Sequence, residues 1–161
     1  MPDASTAAPA ADTHRGPSMP AGGPHHKMLE NDGCTRWLGA EVLLAEPGHA
    51  KLRMRIREEM TNGFDIVHGG MVFTLADTCF AMACNDPAGD DATITVASGV
   101  DINFLKSAKL GEEITAEAVR VAQTGRSGVY DVVVSRGEDT IAVFRGRSRT
   151  VPVPTQEVTP E

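Results

Sequence analysis

Residues 71–84 are the segment that most constrains how this chain can fold. They are apolar almost throughout, and the polar interruptions are two threonines and Asp77. A helix that is apolar on nearly every side must be buried on every side. A pair of glycines precedes the segment, and a helix over 69–85 would be about 25 Å long. One small sheet can cover only part of such a helix, so we expect a second copy of the chain to cover the rest.

Strand patterns flank this segment on both sides. Residues 50–57 alternate without error, with Ala50, Leu52, Met54 and Ile56 on one side and Lys51, Arg53, Arg55 and Arg57 on the other. Period two predicts a strand with one face in water, and we interpret the cations as that solvated face rather than as a nucleic-acid surface. Four strand-like stretches follow the helix, at about 92–105, 112–123, 128–136 and 139–149. The predicted fold class is α+β, with an antiparallel sheet wrapped around one long central helix.

The two ends of the chain differ in composition from its middle. Residues 1–25 carry five of the ten prolines and no Leu, Ile, Val or aromatic residue, so they cannot bury enough apolar surface to offset their chain entropy. We predict a disordered tail over 1–25, one folded domain over 26–150 and a flexible tail over 151–161. Within the domain, residues 26–39 predict a helix or two short turns that stop at Gly39.

Composition argues against several functional classes. The net charge of −7 and the pI near 5.2 disfavour nucleic-acid binding by charge. No apolar run approaches about 18 residues, so we expect no membrane span, and the N-terminal region lacks the pattern of a secretory signal. Three cysteines give no closed disulfide framework, which favours a reducing, cytoplasmic setting. His25 and His26 lack further ligands at zinc spacing, so we expect no metal site.

Asp77 is the first candidate catalytic residue. A carboxylate in the middle of an apolar helix is costly unless it has partners or a chemical role. It shares a helical face with Gly70, Thr74, Thr78 and Ala81, whose small and polar side chains leave room for a ligand. The alternative is a structural Asp77, hydrogen-bonded to a neighbouring strand.

The turn at His68-Gly69-Gly70 is the second candidate. Free N–H groups and the positive end of the helix dipole converge where a helix begins. Two glycines let a ligand carbonyl approach the backbone closely, and fixed donors of this kind form an oxyanion site. A plain glycine turn is the alternative.

Other chemistries fit the sequence poorly. We find no GxSxG elbow, no Ser-His-Asp arrangement and no phosphate-binding P-loop. Arg126 and Ser127, in a turn after Gly125, could clamp a phosphate, and an ordinary hairpin turn is equally open.

Six segments are together characteristic of one family. They are residues 28–32 (MLEND), 62–70 (NGFDIVHGG), 75–78 (LADT), 81–85 (AMACN), 128–131 (GVYD) and 143–148 (VFRGRS). On these residues the chain resembles the hotdog-fold acyl-CoA thioesterases, most closely the phenylacetyl-CoA thioesterase family of bacterial phenylacetate degradation. The resemblance implies a hotdog fold and a cytoplasmic thioester hydrolase without a cofactor. Its substrate would be an aryl-acyl-CoA, phenylacetyl-CoA or a ring-hydroxylated form, cleaved to free acid and CoA.

The resemblance also implies roles for individual residues. Asp77 would be the catalytic carboxylate, as general base or as nucleophile. The Gly69 N–H would polarise the thioester carbonyl in a turn shaped by His68, and Asn62 would position the carbonyl or the water. Substrate or CoA binding would fall to Gly70, Lys106, Arg126 and Ser127. The acid of one subunit would face the oxyanion turn of the other, so a homodimer is the minimum and a homotetramer is expected.

Two departures from the family pattern concern the substrate. Phe64–Val67 is less polar than the family's stretch before His68, and we expect it to line the acyl pocket. Lys106 is followed by Ser107, where the family usually has proline. The alternatives are a hydroxybenzoyl-CoA or medium-chain acyl-CoA thioesterase, a hydroxyacyl-CoA dehydratase that pairs His68 with Asp77, and a non-catalytic acyl-CoA sensor.

Overall fold

Three short helical segments, one long helix and six strands make up the described part of the domain. The computed structural model describes residues 24, 26–89 and 92–153. A 3₁₀ turn at Lys27–Glu30 and helix α1 (Gly33–Leu38) precede strands β1 (Glu41–Glu46) and β2 (His49–Arg55), and a second 3₁₀ turn at Glu58–Met60 precedes helix α2 (Gly69–Cys84). Strands β3 (Thr93–Phe104), β4 (Glu113–Thr124), β5 (Ser127–Arg136) and β6 (Asp139–Pro152) follow. The long helix, strand β2 before it and the four strands after it lie where the sequence predicts them.

The strands form one antiparallel sheet in the order β1-β2-β4-β5-β6-β3. Strand β3 crosses from the end of α2 to the far side of the sheet, so β1 and β3 are the two edges. Helix α2 packs mainly on β2, β4 and β5, inside the curve of the sheet. The predicted α+β arrangement around one central helix is confirmed.

Small aliphatic side chains and a few aromatic rings fill the core between α2 and the sheet. Phe80 of α2 lies edge-on to Tyr130, with ring centroids 5.4 Å apart, and 5.8 Å from Phe144. Strand β6 needs a glycine beneath this ring, because a Cβ on Gly146 would lie 2.7 Å from the Phe80 ring. The sheet and the helix can therefore approach this closely because residue 146 is a glycine.

The chain's own sheet covers only one side of α2. The side facing the sheet is buried, whereas the opposite stripe is partly exposed. We call this stripe the open side of α2, and it consists of Gly70, Thr74, Asp77, Thr78 and Ala81. One chain leaves this stripe partly exposed, and its covering by a second copy stays a prediction.

The end of helix α1 agrees with the sequence-based prediction, whereas the end of strand β6 does not. Helix α1 ends at Gly39, which has φ 67°, as predicted. Strand β6 continues through Pro152, two residues into the segment predicted as a flexible tail, because Val151 and Pro152 pair with Ile94 and Thr93 of β3. The prediction of a disordered tail over 1–25 falls almost entirely outside the described residues.

Two of the cations on the outer face of β2, Lys51 and Arg53, take part in ion pairs. Lys51 Nζ lies 3.0 Å from Glu117, and Arg53 lies 2.5 Å from Glu41. This pairing fits the interpretation of a solvated strand face. No helix in the described part of the chain is long and apolar enough to cross a membrane.

Candidate active site

A small closed loop, residues 61–67, lies just before the start of α2. Thr61 and Val67 form a bridge across its base. Asn62 accepts hydrogen bonds from the Phe64 N–H at its side-chain Oδ1 and from the Asp65 N–H at its carbonyl, 2.9 and 3.1 Å away. Asp65 takes the left-handed conformation, with φ 58°. The loop is thus fixed from within, and the Asn62 Nδ2 donates no hydrogen bond to any of the described residues.

His68 caps the N-terminus of α2. Its Nδ1 accepts a hydrogen bond of 2.9 Å from the Gly70 N–H, and its own backbone N–H donates to Met60 O at 2.8 Å. A ring nitrogen that accepts this bond needs a free lone pair, so the cap holds while Nδ1 is unprotonated. His68 therefore orients the turn through its ring and its backbone together.

The two glycines of the turn differ in what they offer a ligand. The Gly70 N–H is occupied by His68, whereas the Gly69 N–H has no acceptor among the described residues. As the first residue of α2, Gly69 also lies at the positive end of the helix dipole. Of the two candidates, Gly69 has the N–H that is available to a carbonyl oxygen.

Asp77 lies on the open side of α2, eight residues after Gly69. Its carboxylate is half-buried and has no hydrogen bond or ion pair within the described residues. Burial raises its pKa, because removal of water disfavours the charged form. Its negative charge also contributes to raising the pKa of the Cys34 and Cys84 thiols, after burial as the main cause. The alternative of a structural Asp77 bonded to a strand is not what the structure shows.

Gly69 and Asp77 of one chain are too far apart to act on one carbonyl. Eight residues of helix correspond to about 12 Å along the axis and about 80° around it. An oxyanion donor and a general base must each lie within about 3 Å of their target atoms. The two groups can therefore meet at one thioester only if they come from different copies of the chain.

The residues predicted to bind CoA phosphates lie at two ends of the sheet. Lys106 is exposed and forms an ion pair with Asp139, the first residue of β6. Arg126 and Ser127 lie in the turn between β4 and β5, at the opposite end of β5, about 30 Å away. A single chain does not bring Lys106 together with Arg126 and Ser127.

A cavity of about 620 Å³ at the C-terminal end of α2 lacks the features of the active site. Its polar groups already bind one another. The Asn85 amide donates to Ala81 O and Thr95 O at 2.9 Å, and His26 Nε2 lies 3.0 Å from Asn85 O. No group of three or more His, Cys, Asp or Glu side chains among the described residues could hold a metal ion.

One neighbour of the turn was missed by the sequence analysis. The Phe104 ring, at the end of β3, approaches Gly69 so closely that a Cβ there would lie 3.2 Å from its ζ-carbon. The alternation of residues along β3 could have predicted that Phe104 faces inward. The sequence could not show that its ring is exposed.

Comparisons with known proteins agree on one family. The family model described as the thioesterase superfamily matches residues 64–143, which include His68, Gly69 and Asp77. The acyl-coenzyme A thioesterase PaaI of Escherichia coli is 39% identical over 127 residues, covering 78% of this chain and 88% of the relative. A putative esterase of Archaeoglobus fulgidus is 32% identical over 120 residues, covering 74% of this chain and 75% of the relative.

Solved structures give the same result. The E. coli PaaI protein, from the phenylacetic acid degradation operon, superposes with a TM-score of 0.72 at 38% identity, covering 77% of this chain and 88% of that chain. A mutant of the phenylacetic acid degradation protein PaaI from Thermus thermophilus superposes with a TM-score of 0.68 at 29% identity, covering 73% of this chain and 98% of that chain. The predicted hotdog fold is confirmed.

Proposed function

This chain belongs to the thioesterase superfamily and is an acyl-CoA thioester hydrolase, and we propose that its substrates are phenylacetyl-CoA or ring-hydroxylated phenylacetyl-CoA. The products would be the free aryl acid and CoA. The aryl preference is supported by the similarity to two PaaI proteins of phenylacetic acid degradation. The observation that carries the chemistry is the half-buried carboxylate of Asp77 on the open side of α2, which has no partner among the described residues.

Each group of the site has one task in this proposal. The Gly69 N–H binds the thioester oxygen and stabilises the negative charge that develops on it. Asp77 either takes a proton from the attacking water or attacks the carbonyl carbon itself, and water then hydrolyses the anhydride. In both routes the C–S bond breaks and the CoA thiolate leaves and takes up a proton. His68 holds the turn, and the Asn62 amide positions the carbonyl or the water. Hydrolysis by either route needs no cofactor.

The site is proposed to lie between two copies of the chain. Because Gly69 and Asp77 are about 12 Å apart along one helix, Gly69 of one copy must work with Asp77 of the other. Strand β3 is an edge whose apolar Ile94 and Val96 are exposed, which suits it to meet the same edge of a second chain. A dimer of this kind would also cover the open side of α2.

Further assembly and CoA binding follow from the same geometry. Val119, Val133 and Val143 are exposed on the outer face of the sheet, and they would support the pairing of two dimers into a tetramer. Since one chain separates Lys106 from Arg126 and Ser127, the CoA phosphates would be bound by Arg126 and Ser127 of one copy with Lys106 of another. The cysteines Cys34, Cys79 and Cys84 are free thiols, which fits a reducing cytoplasm.

Thiol release from a panel of CoA esters tests the proposal. The panel contains phenylacetyl-CoA, its ring-hydroxylated forms, hydroxybenzoyl-CoA and hexanoyl-CoA, and we expect the highest kcat/KM for the phenylacetyl esters. Asp77→Asn should lower kcat by about 10⁴-fold, because it removes the base or the nucleophile and leaves the shape of the site. Asp86→Asn removes the same charge at the end of α2 and should leave kcat unchanged. A fully active Asp77→Asn protein of native size would overturn the mechanism.

A further inference from the structure

We infer that the Phe104 ring is the platform for the aryl part of the substrate, and so a specificity-determining residue. The inference rests on the proposed function, since it places the acyl group next to the Gly69 N–H. It starts from a contact: the three atoms nearest to the position of a Cβ on Gly69 all belong to the Phe104 ring, at 3.2, 3.5 and 3.6 Å. The ring therefore lies directly beside the donor that binds the thioester oxygen.

Phe104 faces inward and yet remains open to a ligand. It pairs with Ala142, on the same face of the sheet on which Ile102 pairs with the buried Phe144. The register of β3 thus turns Phe104 toward α2. Phe104, the last residue of β3, is nevertheless 52% exposed. Within one chain this ring on the inner face lacks a cover, so it can hold another flat apolar group in the site between the two proposed copies.

The chemistry of the substrate fits this position. In a phenylacetyl thioester a single methylene joins the ring to the carbonyl carbon. When the Gly69 N–H holds the carbonyl oxygen, the substrate ring lies close to the Gly69 α-carbon, and so does Phe104. Aromatic rings pair favourably at centroid distances of about 4.5–7 Å, which one methylene of reach allows. A flexible aliphatic chain at the same place gains contact area but no ring pairing.

The substitution Phe104→Leu tests the platform, since it keeps an apolar side chain and removes the ring. We expect the ratio of kcat/KM for phenylacetyl-CoA to that for hexanoyl-CoA to fall about three- to tenfold. Phe104→Met, a second non-aromatic variant, should lower the ratio by a similar factor, so the test does not depend on one variant assembling. Leu105→Ala is the matched control, because Leu105 is 60% exposed and supplies none of the atoms nearest to Gly69. The ratio of the two kcat/KM values should not change in the Leu105→Ala variant.

Binding to an inactive background separates recognition from turnover. In Asp77→Asn protein, addition of Phe104→Leu should weaken the Kd for phenylacetyl-CoA by the same factor and leave the Kd for hexanoyl-CoA within twofold, about the smallest change that such an assay resolves. Equal losses for both esters would show that the ring only supports the turn, and would overturn the inference. Wild-type protein that releases no thiol from either ester would instead refute the proposed function, so the two failures are distinguishable.

Discussion

The two sides of helix α2 differ in their packing and in whether their polar groups have hydrogen-bond partners. On the side against the sheet, apolar packing is continuous, and even the Cys79 thiol has partners, with its Sγ 3.4 Å from Ala50 O and 3.3 Å from Ala116 O. On the open side, Asp77 is half-buried and has no hydrogen-bond partner among the described residues. Burial raises the pKa of both groups, to about 12 for Cys79. Only Asp77 can be reached by a ligand.

This difference separates stability from function along one element. Buried polar groups are normally hydrogen-bonded, so an unpartnered carboxylate is expected where a protein uses it rather than where it packs. Substitutions on the closed side should therefore change the free energy of unfolding, and substitutions on the open side should change turnover. Single substitutions on each side test whether stability and turnover are separable in this way.

Removal of the central ring of the closed side should have the largest effect on stability. Phe80→Ala leaves a cavity between α2, Tyr130 and Phe144, and should lower the free energy of unfolding by about 3–5 kcal/mol. Denaturant unfolding measures this loss. Phe64→Ala is the control, because Phe64 is 84% exposed and its removal should cost no more than about 0.5 kcal/mol. If folded Phe80→Ala protein also lost most of its kcat, the two sides of α2 would not be separable.

Loss of the Gly69 N–H should lower turnover and leave stability nearly unchanged. Gly69 is the first residue of α2, a position where proline is tolerated, and His68 has φ −64° and ψ 132°, which suits a residue before proline. Gly69→Pro should lower kcat by about 10²–10³-fold with little loss of stability. Gly69→Ala adds a Cβ at the same place and keeps the N–H, so it is the matched control. Equal activity of the two variants would exclude the Gly69 N–H as the oxyanion donor.

The smallest effect is expected in the pH dependence of stability. The pKa of Asp77 is raised in the folded state, so the folded protein holds a proton that the unfolded chain has already lost. Asp77 therefore destabilises the fold as pH rises above about 3.9, the unfolded value, and the cost is complete above the raised pKa. Asp77→Asn should have a higher Tm than wild type at pH 7, and the difference should shrink toward acid. A lower Tm of the variant at pH 7 would reveal a stabilising partner of Asp77.

Local patterns predicted the elements well and their assembly less well. The apolar run predicted α2 to within one residue of its end, and Gly39 marked the end of α1, because both signals are contained in a few neighbouring residues. The order of strands in the sheet depends on packing between distant segments. For that reason the distance between Lys106 and Arg126, and the extension of β6 along the start of β3, were not visible in the sequence.

The candidate site was predicted in part. Asp77, His68 and Gly69 stood out because a buried charge and paired glycines are unusual where they occur. Phe104 looked like an ordinary strand residue, since its exposure depends on where the sheet ends relative to α2. The sequence therefore indicated the groups that are proposed to do the chemistry, and the structure added a residue beside them.

The spacing of Gly69 and Asp77 on one rigid helix has a consequence for inheritance. In the proposed dimer every site draws one group from each copy, so a cell that carries a Gly69→Pro allele and an Asp77→Asn allele would form mixed dimers. Each mixed dimer has one site with both defects and one site with neither. Random pairing would restore about a quarter of wild-type activity, although each allele alone is nearly inactive. Two recessive lesions in the same gene would thus complement each other.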